Sequence, residues 1–168
     1  MICTPLFTTR QDTALGPIVL AATDHALCGL WFEGQQHGPD ARTVARWSAA
    51  PGHPVLRKAA EQVLAYLGGQ RQGFDLPLDL GSGTAFQQSV WQALRGIGFG
   101  QTLSYGDIAR QIGRAQAVRA VGAAVGRNPL SLVVPCHRVL GARGQLTGYA
   151  GGLERKQALL QLESQHLA

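Results

Sequence analysis

Short apolar runs separated by turn residues occupy residues 1–35. Ile18–Ala22 follows the turn signal Gly16-Pro17, and Leu27–Phe32 follows a polar break at residues 23–25. An apolar run of about four to eight residues between such signals is typical of a buried strand. Two or three strands of this kind predict a small antiparallel sheet near the start of the chain.

Helical spacing of the apolar residues replaces this pattern in residues 55–67. The side chains that would share one face of the predicted helix are Leu56, Ala60, Val63, Leu64 and Leu67. Gly68-Gly69 ends the helix, and residues 34–54, rich in Gly, Pro, Ala and His, predict a loop. Residues 1–80 are therefore predicted to form an N-terminal α/β domain with a supporting role.

A boundary between two domains is predicted near residue 82. Residues 74–80 alternate apolar and polar side chains, but Pro77 has no N–H for a sheet ladder. The segment is therefore predicted to be a sheet edge or an extended linker. Gly81-Ser82-Gly83 is the predicted boundary, and residues 84–168 form the second domain.

The second domain begins with a strong helix signal. Thr84 and Gln87 have the spacing of a capping box. The apolar side chains that follow at helical spacing are Phe86, Val90, Trp91 and Leu94. A helix is therefore predicted here, ending at the glycines near residues 96–100.

A helix-turn-helix unit is predicted after these glycines. Ser104 can cap a short helix whose inner side chains would be Ile108, Ala109 and Ile112. Gly113-Arg114 predicts a tight turn, and residues 116–126 predict a further helix. The chain as a whole is thus predicted to have an α/β fold of the α+β kind. A sheet with one helix precedes a mostly helical, winged-helix-like domain.

The second helix of this unit has two distinct faces. Its inward stripe is predicted to be Val118, Val121 and Val125. Small side chains surround one arginine on another face: Ala115, Arg119, Gly122, Ala123 and Gly126. Such a face lets the backbone approach another surface closely, where the arginine can insert. The alternative is ordinary packing against a neighbouring helix.

Composition and charge narrow the classes of function. An apolar fraction of 45% with 15% charged residues suits a packed protein rather than a disordered one. No apolar run reaches the roughly 18 residues of a membrane span, and the first residues do not resemble a secretion signal. We therefore expect a cytoplasmic protein that does not act at a membrane.

The positive charge is concentrated in the second half. Residues 1–80 carry six basic and seven acidic side chains, whereas residues 81–168 carry nine basic and three acidic ones. This distribution predicts that the second half binds a polyanion such as nucleic acid. The alternative is a solvated basic surface.

Cys136 is the candidate nucleophile. The chain has three cysteines, an odd number without the spacing of a disulfide framework, so free thiols are expected. His137 and Arg138 follow Cys136, and a neighbouring base or positive charge activates a thiol. Glu163, late in the last predicted helix, is a candidate to orient the histidine. A purely structural Cys-His pair is the alternative.

Four motifs occur in order in the second half. They are residues 119–122 (Arg-Ala-Val-Gly), Asn128-Pro129, residues 134–139 (Val-Pro-Cys-His-Arg-Val) and residues 148–152 (Gly-Tyr-Ala-Gly-Gly). This series strongly resembles the bacterial O6-alkylguanine-DNA alkyltransferases. The resemblance covers most of residues 84–168 and extends more weakly to residues 15–18 and 27–30.

The resemblance implies DNA repair by direct damage reversal. Cys136 would accept the alkyl group from O6-alkylguanine, and also from O4-alkylthymine, in double-stranded DNA. His137 would activate Cys136 through a bound water, and Glu163 would orient His137. Asn128 would brace the turn, and Tyr105 would assist departure of the guanine. Because the product is a thioether, the enzyme, a methylated-DNA–protein-cysteine S-methyltransferase, would act once per molecule.

The resemblance also implies how DNA is held. The helix-turn-helix would lie in the minor groove, and Arg119 would fill the gap left by a flipped nucleotide. The residues expected at the DNA are Arg119, Tyr105, Ala120, Gly122, Ala123 and Arg127. Those expected to line the guanine pocket are Val139, Tyr149 and Ala150. The protein is expected to act as a monomer without a cofactor, and cooperative assembly on DNA stays open.

The sequence departs from its relatives at a few positions. Gly98 stands where many have Pro, and Ala150 replaces a serine found on the pocket loop of some. Some relatives bind zinc near the N-terminus, but the candidate ligands do not form a recognisable set, so no metal is expected: Cys3, Cys28, His25 and His37. Three rival functions stay open at this point: a non-catalytic alkyltransferase-like protein, a transcription factor and a thiol hydrolase.

Overall fold

The computed structural model describes residues 7–167, and the chain folds into two compact units. The first unit contains the described residues up to Ser82 together with Pro129–Val133. The second contains Gly83–Asn128 and the described residues from Val134 onward. The segment predicted as one continuous second domain, residues 84–168, is therefore interrupted, because Pro129–Val133 belongs to the first unit.

A four-stranded sheet forms the centre of the first unit. Its strands are β1 (Phe7–Gln11), β2 (Ile18–Ala22), β3 (Leu27–Phe32) and β4 (Ser48–Ala49). They lie in the order β3-β2-β1-β4. The predicted antiparallel pairing holds for β1, β2 and β3, whereas β4 pairs parallel to β1.

The loop predicted for residues 34–54 is wrong in part. It contains the short helix α1 (Ala41–Ala45), which Asp40 caps through its side chain, as well as β4. Both residues of β4 are exposed, so this strand has no alternation of buried and exposed side chains. It forms because its backbone pairs with β1, and local sequence carries no sign of that pairing.

Helix α2 (Pro54–Leu67) is present as predicted, but its buried face agrees only in part with the predicted one, at Leu56 and Val63. The buried side chains are Leu56, Ala59, Gln62, Val63 and Tyr66, whereas Leu64 is 43% exposed. Gln62 can be buried because its amide group makes two hydrogen bonds to the backbone of Asp75, at 3.0 and 2.9 Å. Apolar spacing does not predict this face, because it places a polar residue at a buried position.

Two extended segments pair with the outer edge of β3. Leu27 exchanges backbone hydrogen bonds with Pro77 and Asp79, and Leu30 does so with Pro129 and Ser131. The first pair agrees with the sheet edge predicted around Pro77. The second explains why residues 129–133 belong to the first unit.

Helices dominate the second unit. They are α3 (Ala85–Arg95), α4 (Tyr105–Gln111), α5 (Val118–Gly126) and α6 (Leu153–Gln165). A single 3-10 turn, Cys136–Arg138, precedes β6 (Val139–Leu140), which pairs in parallel with β5 (Leu103–Ser104). Thr84 and Gln87 form the predicted capping box of α3. The Trp91 Nε1–H donates to the carbonyl of Ala124 at 2.9 Å, which joins α3 to α5.

Helices α4 and α5 form the predicted helix-turn-helix. Ser104 and Asp107 make a second capping box, and Gly113 has a φ of +73° in the turn, a conformation that favours glycine. Val118, predicted to face inward, is 41% exposed, while Val121, Ala124 and Val125 are buried. Val118 is the first residue of α5, so it precedes the helical turns whose side chains are buried. No helix within residues 7–167 is long and apolar enough to cross a membrane.

Candidate active site and nucleic-acid interface

Cys136 lies in the 3-10 turn with only 4% of its surface exposed. The chain reaches this turn through Val134 and Pro135, and Asn128 holds the approach in place. The Asn128 side-chain amide donates to the carbonyl of Val134 at 2.8 Å, and Asn128 is itself buried. From the same turn, the side chains of His137 and Arg138 both reach Glu163.

Glu163, on α6, is the centre of a buried charged cluster. One carboxylate oxygen accepts from Arg138 Nε at 2.8 Å and from the backbone N–H of Gly100 at 3.1 Å. The other accepts from Arg138 Nη2 at 2.8 Å and lies 2.8 Å from His137 Nε2. Arg138 also donates to the carbonyl of Ile97 at 2.6 Å. The guanidinium of Arg138 is therefore occupied by Glu163 and Ile97.

This cluster determines the hydrogen-bonding role of each nitrogen of His137. The bidentate contact with Arg138 favours the ionised form of Glu163, which can only accept hydrogen bonds. His137 Nε2 must then be the N–H donor, which leaves Nδ1 as the acceptor. Burial lowers the pKa of His137 below its usual value, although Glu163 acts to raise that pKa. A neutral imidazole with an accepting Nδ1 is the form that a general base requires.

Burial disfavours the ionised form of the Cys136 thiol. Burial raises the pKa of this thiol above its usual value. Hydrogen bonds from Asn128 and Tyr149 and the positive charge of Lys156 lower the same pKa, by less than burial raises it. The thiol therefore needs a base to ionise, and the site offers stabilising contacts once it has ionised.

Lys156 is a residue that the sequence reasoning missed. It is fully buried on α6, and its ammonium group donates to the carbonyls of Thr147 and Gly148 at 3.0 and 3.2 Å. A usable signal was its spacing, because Lys156, Leu159 and Glu163 are the buried residues of α6. Lys156 lies three residues before Leu159 and seven before Glu163, so all three side chains share one face of the helix.

Tyr105 and the loop after β6 form a second wall of the site. The Tyr105 hydroxyl donates to the carbonyl of Thr147 at 3.3 Å, and burial raises the pKa of Tyr105 above its usual value. Val139 is buried, whereas Tyr149 and Ala150 are half-buried on the loop. The structure thus gathers Cys136, Tyr105 and the predicted pocket residues within the second unit.

The outer face of α5 has the opposite character. Arg119, Ala120, Ala123 and Arg127 are exposed, and Gly122 is half-buried. A Cβ atom on Gly122 would meet only the Tyr105 ring, at 3.9 Å, and one on Gly126 would meet nothing within 4 Å. This face is therefore open backbone beside two arginines, and the alternative of packing against a neighbouring helix is wrong within residues 7–167.

Two family profiles together match nearly the whole chain. One, described as "6-O-methylguanine DNA methyltransferase, ribonuclease-like domain", matches residues 6–80. The other, described as "6-O-methylguanine DNA methyltransferase, DNA binding domain", matches residues 85–165. The chain belongs to the 6-O-methylguanine DNA methyltransferase family. The family named by the sequence resemblance is thereby confirmed.

Individual relatives of this family agree closely with the chain. The methylated-DNA–protein-cysteine methyltransferase of Mycobacterium tuberculosis H37Rv is 49% identical over 90% of this chain and 88% of its own length. The protein of the same name from Haemophilus influenzae is 40% identical over 95% of this chain and 87% of its own length. The similarity thus extends through both units.

Solved structures of the family confirm the predicted fold class. Mycobacterium tuberculosis OGT in complex with DNA has a TM-score of 0.87 at 46% identity, covering 95% of this chain and 94% of that one. The O6-methylguanine-DNA methyltransferase of Pyrococcus kodakaraensis has a TM-score of 0.53 at 23% identity, covering 94% and 98% of the two chains. The second likeness concerns the fold alone.

A zinc site near the N-terminus was considered from the sequence, with the prediction that no metal binds there. Within residues 7–167, no group of three or more His, Cys, Asp or Glu side chains could hold a metal ion. Cys28 is a buried strand residue whose thiol donates to the carbonyl of Ala21 at 3.5 Å. Cys3, another residue considered for zinc, lies outside the described residues.

Proposed function

We propose that this chain repairs alkylated DNA by moving the alkyl group from O6 of guanine onto Sγ of Cys136. The observation that carries the proposal is the chain of contacts from the buried thiol turn through His137 to Glu163. It supplies a nucleophile, a neutral base beside it and an anion that stabilises the base once protonated. The names of the relatives and the DNA complex of the mycobacterial protein support the same activity.

The transfer is proposed as an in-line displacement at the alkyl carbon. His137 Nδ1 takes the proton of the Cys136 thiol through a water molecule, and Glu163 stabilises the resulting imidazolium. The thiolate then forms the carbon–sulfur bond while the bond from carbon to O6 breaks. The departing guanine takes a proton at N3 from Tyr105, whose high pKa keeps it protonated at neutral pH. Exchange with solvent restores both side chains.

Access to O6 is proposed to require flipping of the base. A stacked base hides its O6 substituent, and extruding it costs a few kcal/mol. The open face of α5 suits this step, because its small side chains let the backbone approach the minor groove while Arg119 fills the gap. Ala120, Gly122, Ala123 and Arg127 would contact the DNA, and contacts to phosphate would give affinity without sequence preference. The same pocket would accept O4-alkylthymine.

The protein is proposed to act once. The product is a thioether, which is stable, so Cys136 is consumed rather than regenerated. The proposed displacement uses no metal or organic cofactor. We further propose that the protein works as a cytoplasmic monomer, with residues 1–80 supporting the second domain.

Intact mass after incubation with a duplex containing O6-methylguanine tests this proposal. We expect a gain of one methyl group per chain, located on the Cys136 peptide, with no further gain in excess substrate. Unmodified duplex is the control, and a duplex with O4-methylthymine tests the wider substrate range. Tight binding without a change in mass would instead support a non-catalytic alkyltransferase-like protein, against which the presence of Cys136 argues.

Two further outcomes distinguish the remaining rivals. A strong consensus in a binding screen on random duplexes would favour a transcription factor. The α5 face, however, has few of the amide and hydroxyl side chains that read base edges. A burst followed by turnover of an acyl ester would favour a thiol hydrolase.

A further inference from the structure

Residues 141–147, the wing loop, follow β6 and are exposed apart from Gly141. Their backbone is nevertheless held in one shape. The N–H groups of Gly141 and Gly144 donate to the carbonyls of Gln145 and Gly141, both at 2.9 Å. The side-chain oxygen of Gln145 accepts from the backbone N–H of Arg143 at 2.8 Å. Gly144 has a φ of +77°, a conformation that favours glycine. The loop is therefore closed on itself, with Arg143 at its tip.

Arg143 carries the only charge of the wing loop. No acidic residue lies within ten positions of it in the sequence, and within residues 7–167 no carboxylate forms an ion pair with it. Arg110, another exposed arginine of the second unit, is by contrast paired with Asp107. A guanidinium keeps its charge at any physiological pH, and its fork of N–H donors fits the oxygens of a phosphate. The wing loop thus presents an unneutralised anion-binding group to solvent.

One tyrosine ring separates the wing loop from the open face of α5. The Tyr105 hydroxyl donates to the carbonyl of Thr147, the last residue of the wing loop, at 3.3 Å. The same ring lies 3.9 Å from the position that a Cβ atom on Gly122 of α5 would occupy. All of these residues belong to the second unit. The wing loop therefore borders the face on which Arg119 and Arg127 are exposed, and it continues the surface proposed to meet DNA.

The wing loop also leads directly into the proposed guanine pocket. Tyr149 and Ala150, expected to line that pocket, follow Thr147 by two and three residues. A nucleotide that leaves the base stack and enters a pocket takes its sugar and phosphates with it. The backbone of the alkylated strand is thereby drawn toward the wing loop, while the α5 face lies against the groove.

We propose that Arg143, at the tip of the wing loop, binds a backbone phosphate of the alkylated strand beside the flipped nucleotide. The inference deepens the proposed function and rests on it, because it adds a second point of contact to the α5 face. The closed backbone of the loop suits this role, since a loop that is already ordered loses little conformational entropy on binding. A phosphate contact carries no sequence information, so it serves wherever the damage lies.

The salt dependence of DNA binding counts contacts of this kind. For duplex DNA, the slope of log affinity against log salt concentration changes by about 0.9 for each phosphate that the protein neutralises. The titrations use fluorescence anisotropy and a duplex with one O6-methylguanine, and every protein carries Cys136→Ala so that no transfer occurs. Arg143→Gln and Arg143→Lys are compared with the unaltered background. Arg57→Gln is the matched control, because it removes an exposed arginine from α2 in the first unit.

The loss of one phosphate contact has a defined signature. Arg143→Gln should reduce the magnitude of the slope by about 0.9, so that it binds about eightfold more weakly at roughly 0.1 M salt and equally well near about 1 M. Arg143→Lys should keep the slope because it keeps a positive charge. Arg57→Gln should match the background in slope and affinity. The Arg143 side chain makes no hydrogen bond within residues 7–167, so thermal unfolding should be the same for all variants.

Neutral methylphosphonates locate the contact on the DNA. They replace the phosphates near the lesion one at a time, first on the alkylated strand and then on the opposite strand. At one position on the alkylated strand, the replacement should weaken binding by the background protein and have no further effect on Arg143→Gln. Such a failure of additivity identifies two groups that interact directly. No position on the opposite strand should show it.

An unchanged slope for Arg143→Gln would overturn the proposal. An equal loss for Arg57→Gln would also overturn it, because only the net charge of the protein would then matter. Additive effects at every phosphate of the alkylated strand, or coupling confined to the opposite strand, would refute the placement beside the flipped nucleotide. A failure of the proposed function is seen separately, as the absence of a methyl gain in the mass experiment with wild-type protein.

Discussion

The outer face of α5 and the turn that carries Cys136 belong to the same unit, yet they differ in burial and in how their polar groups are bonded. Arg119, Ala123 and Arg127 on α5 are exposed beside open backbone. Around Cys136, by contrast, charged groups are buried and Glu163 binds three neighbours. A surface that must meet a partner keeps its bonding groups free of internal partners. A site that must control an ionisation removes them from water and satisfies them internally.

This difference has a consequence for substitutions. A change on the α5 face should alter interactions with DNA and leave the free energy of unfolding nearly unchanged. A change in the buried cluster should alter stability and chemistry together, because removing one charge strands another. The following four predictions test that separation, from the largest expected effect to the smallest.

Cys136→Ala should abolish methyl transfer while leaving DNA binding and stability close to wild type. Only the nucleophile is lost, and the hydrogen bonds that Glu163 accepts from Arg138 and Gly100 do not involve Sγ. Intact mass after incubation with O6-methylguanine duplex measures transfer, and a binding titration at fixed salt measures affinity. Lost binding would mean that the thiol supports the fold, which would break the separation between the two regions.

Glu163→Gln should lower the free energy of unfolding by about 3 kcal/mol, since Arg138 and His137 would remain buried without their anion. The transfer rate should fall as well, because a neutral amide no longer stabilises the imidazolium. Denaturant unfolding measures stability, and Glu154→Gln, an exposed change in the first turn of the same helix, is the matched control. A change within the error of that control would contradict a charged cluster.

Arg119→Ala should slow repair of duplex DNA by about 100-fold, because a base-flipping cost of a few kcal/mol is no longer offset. Reaction with a free alkylguanine base should keep its rate, and thermal unfolding should stay unchanged. Single-turnover kinetics with both substrates make the comparison, and Arg127→Ala serves as a control that weakens affinity without the flipping defect. Equal slowing with both substrates would rule out a role in flipping.

Gly122→Ala should raise stability by about 0.5–1 kcal/mol, because glycine is unfavourable inside a helix relative to alanine. The added methyl group would meet only the Tyr105 ring at an ordinary contact distance of 3.9 Å. Affinity for duplex DNA should fall modestly, since the methyl group keeps the backbone farther from the groove. Higher stability with unchanged affinity would mean that this part of α5 does not approach DNA.

Local signals predicted some elements well. The capping box at Thr84, the cap at Ser104 and the turn at Gly113 were predicted because their hydrogen bonds lie within a few residues of each other in the chain. Strand β4, by contrast, is two exposed residues that pair with β1. The buried face of α2 was misjudged because Gln62 is satisfied by the backbone of Asp75, 13 residues away. Neither β4 nor the buried position of Gln62 is marked by a periodic pattern of apolar residues.

The candidate site also has features that local sequence predicted and features that it did not. Cys136 and His137 are adjacent, so the candidate nucleophile and its base could be named from the chain, and Glu163 followed from its place late in α6. That Arg138 binds Glu163 could not be predicted from neighbouring residues. The helical spacing of Lys156 from Glu163 indicated a shared face, but not that the ammonium group of Lys156 bonds to the pocket loop. Those contacts depend on how α6 packs against the 3-10 turn.

The sequence by itself determined the family, the helix-turn-helix with its small-residue α5 face and the residue types available for chemistry, because each depends on neighbouring residues or on a motif. Only the tertiary structure decided which charges are buried, which nitrogen of His137 accepts a proton and where Lys156 stands. Burial and long-range hydrogen bonds set these properties, and both arise only when distant segments pack together.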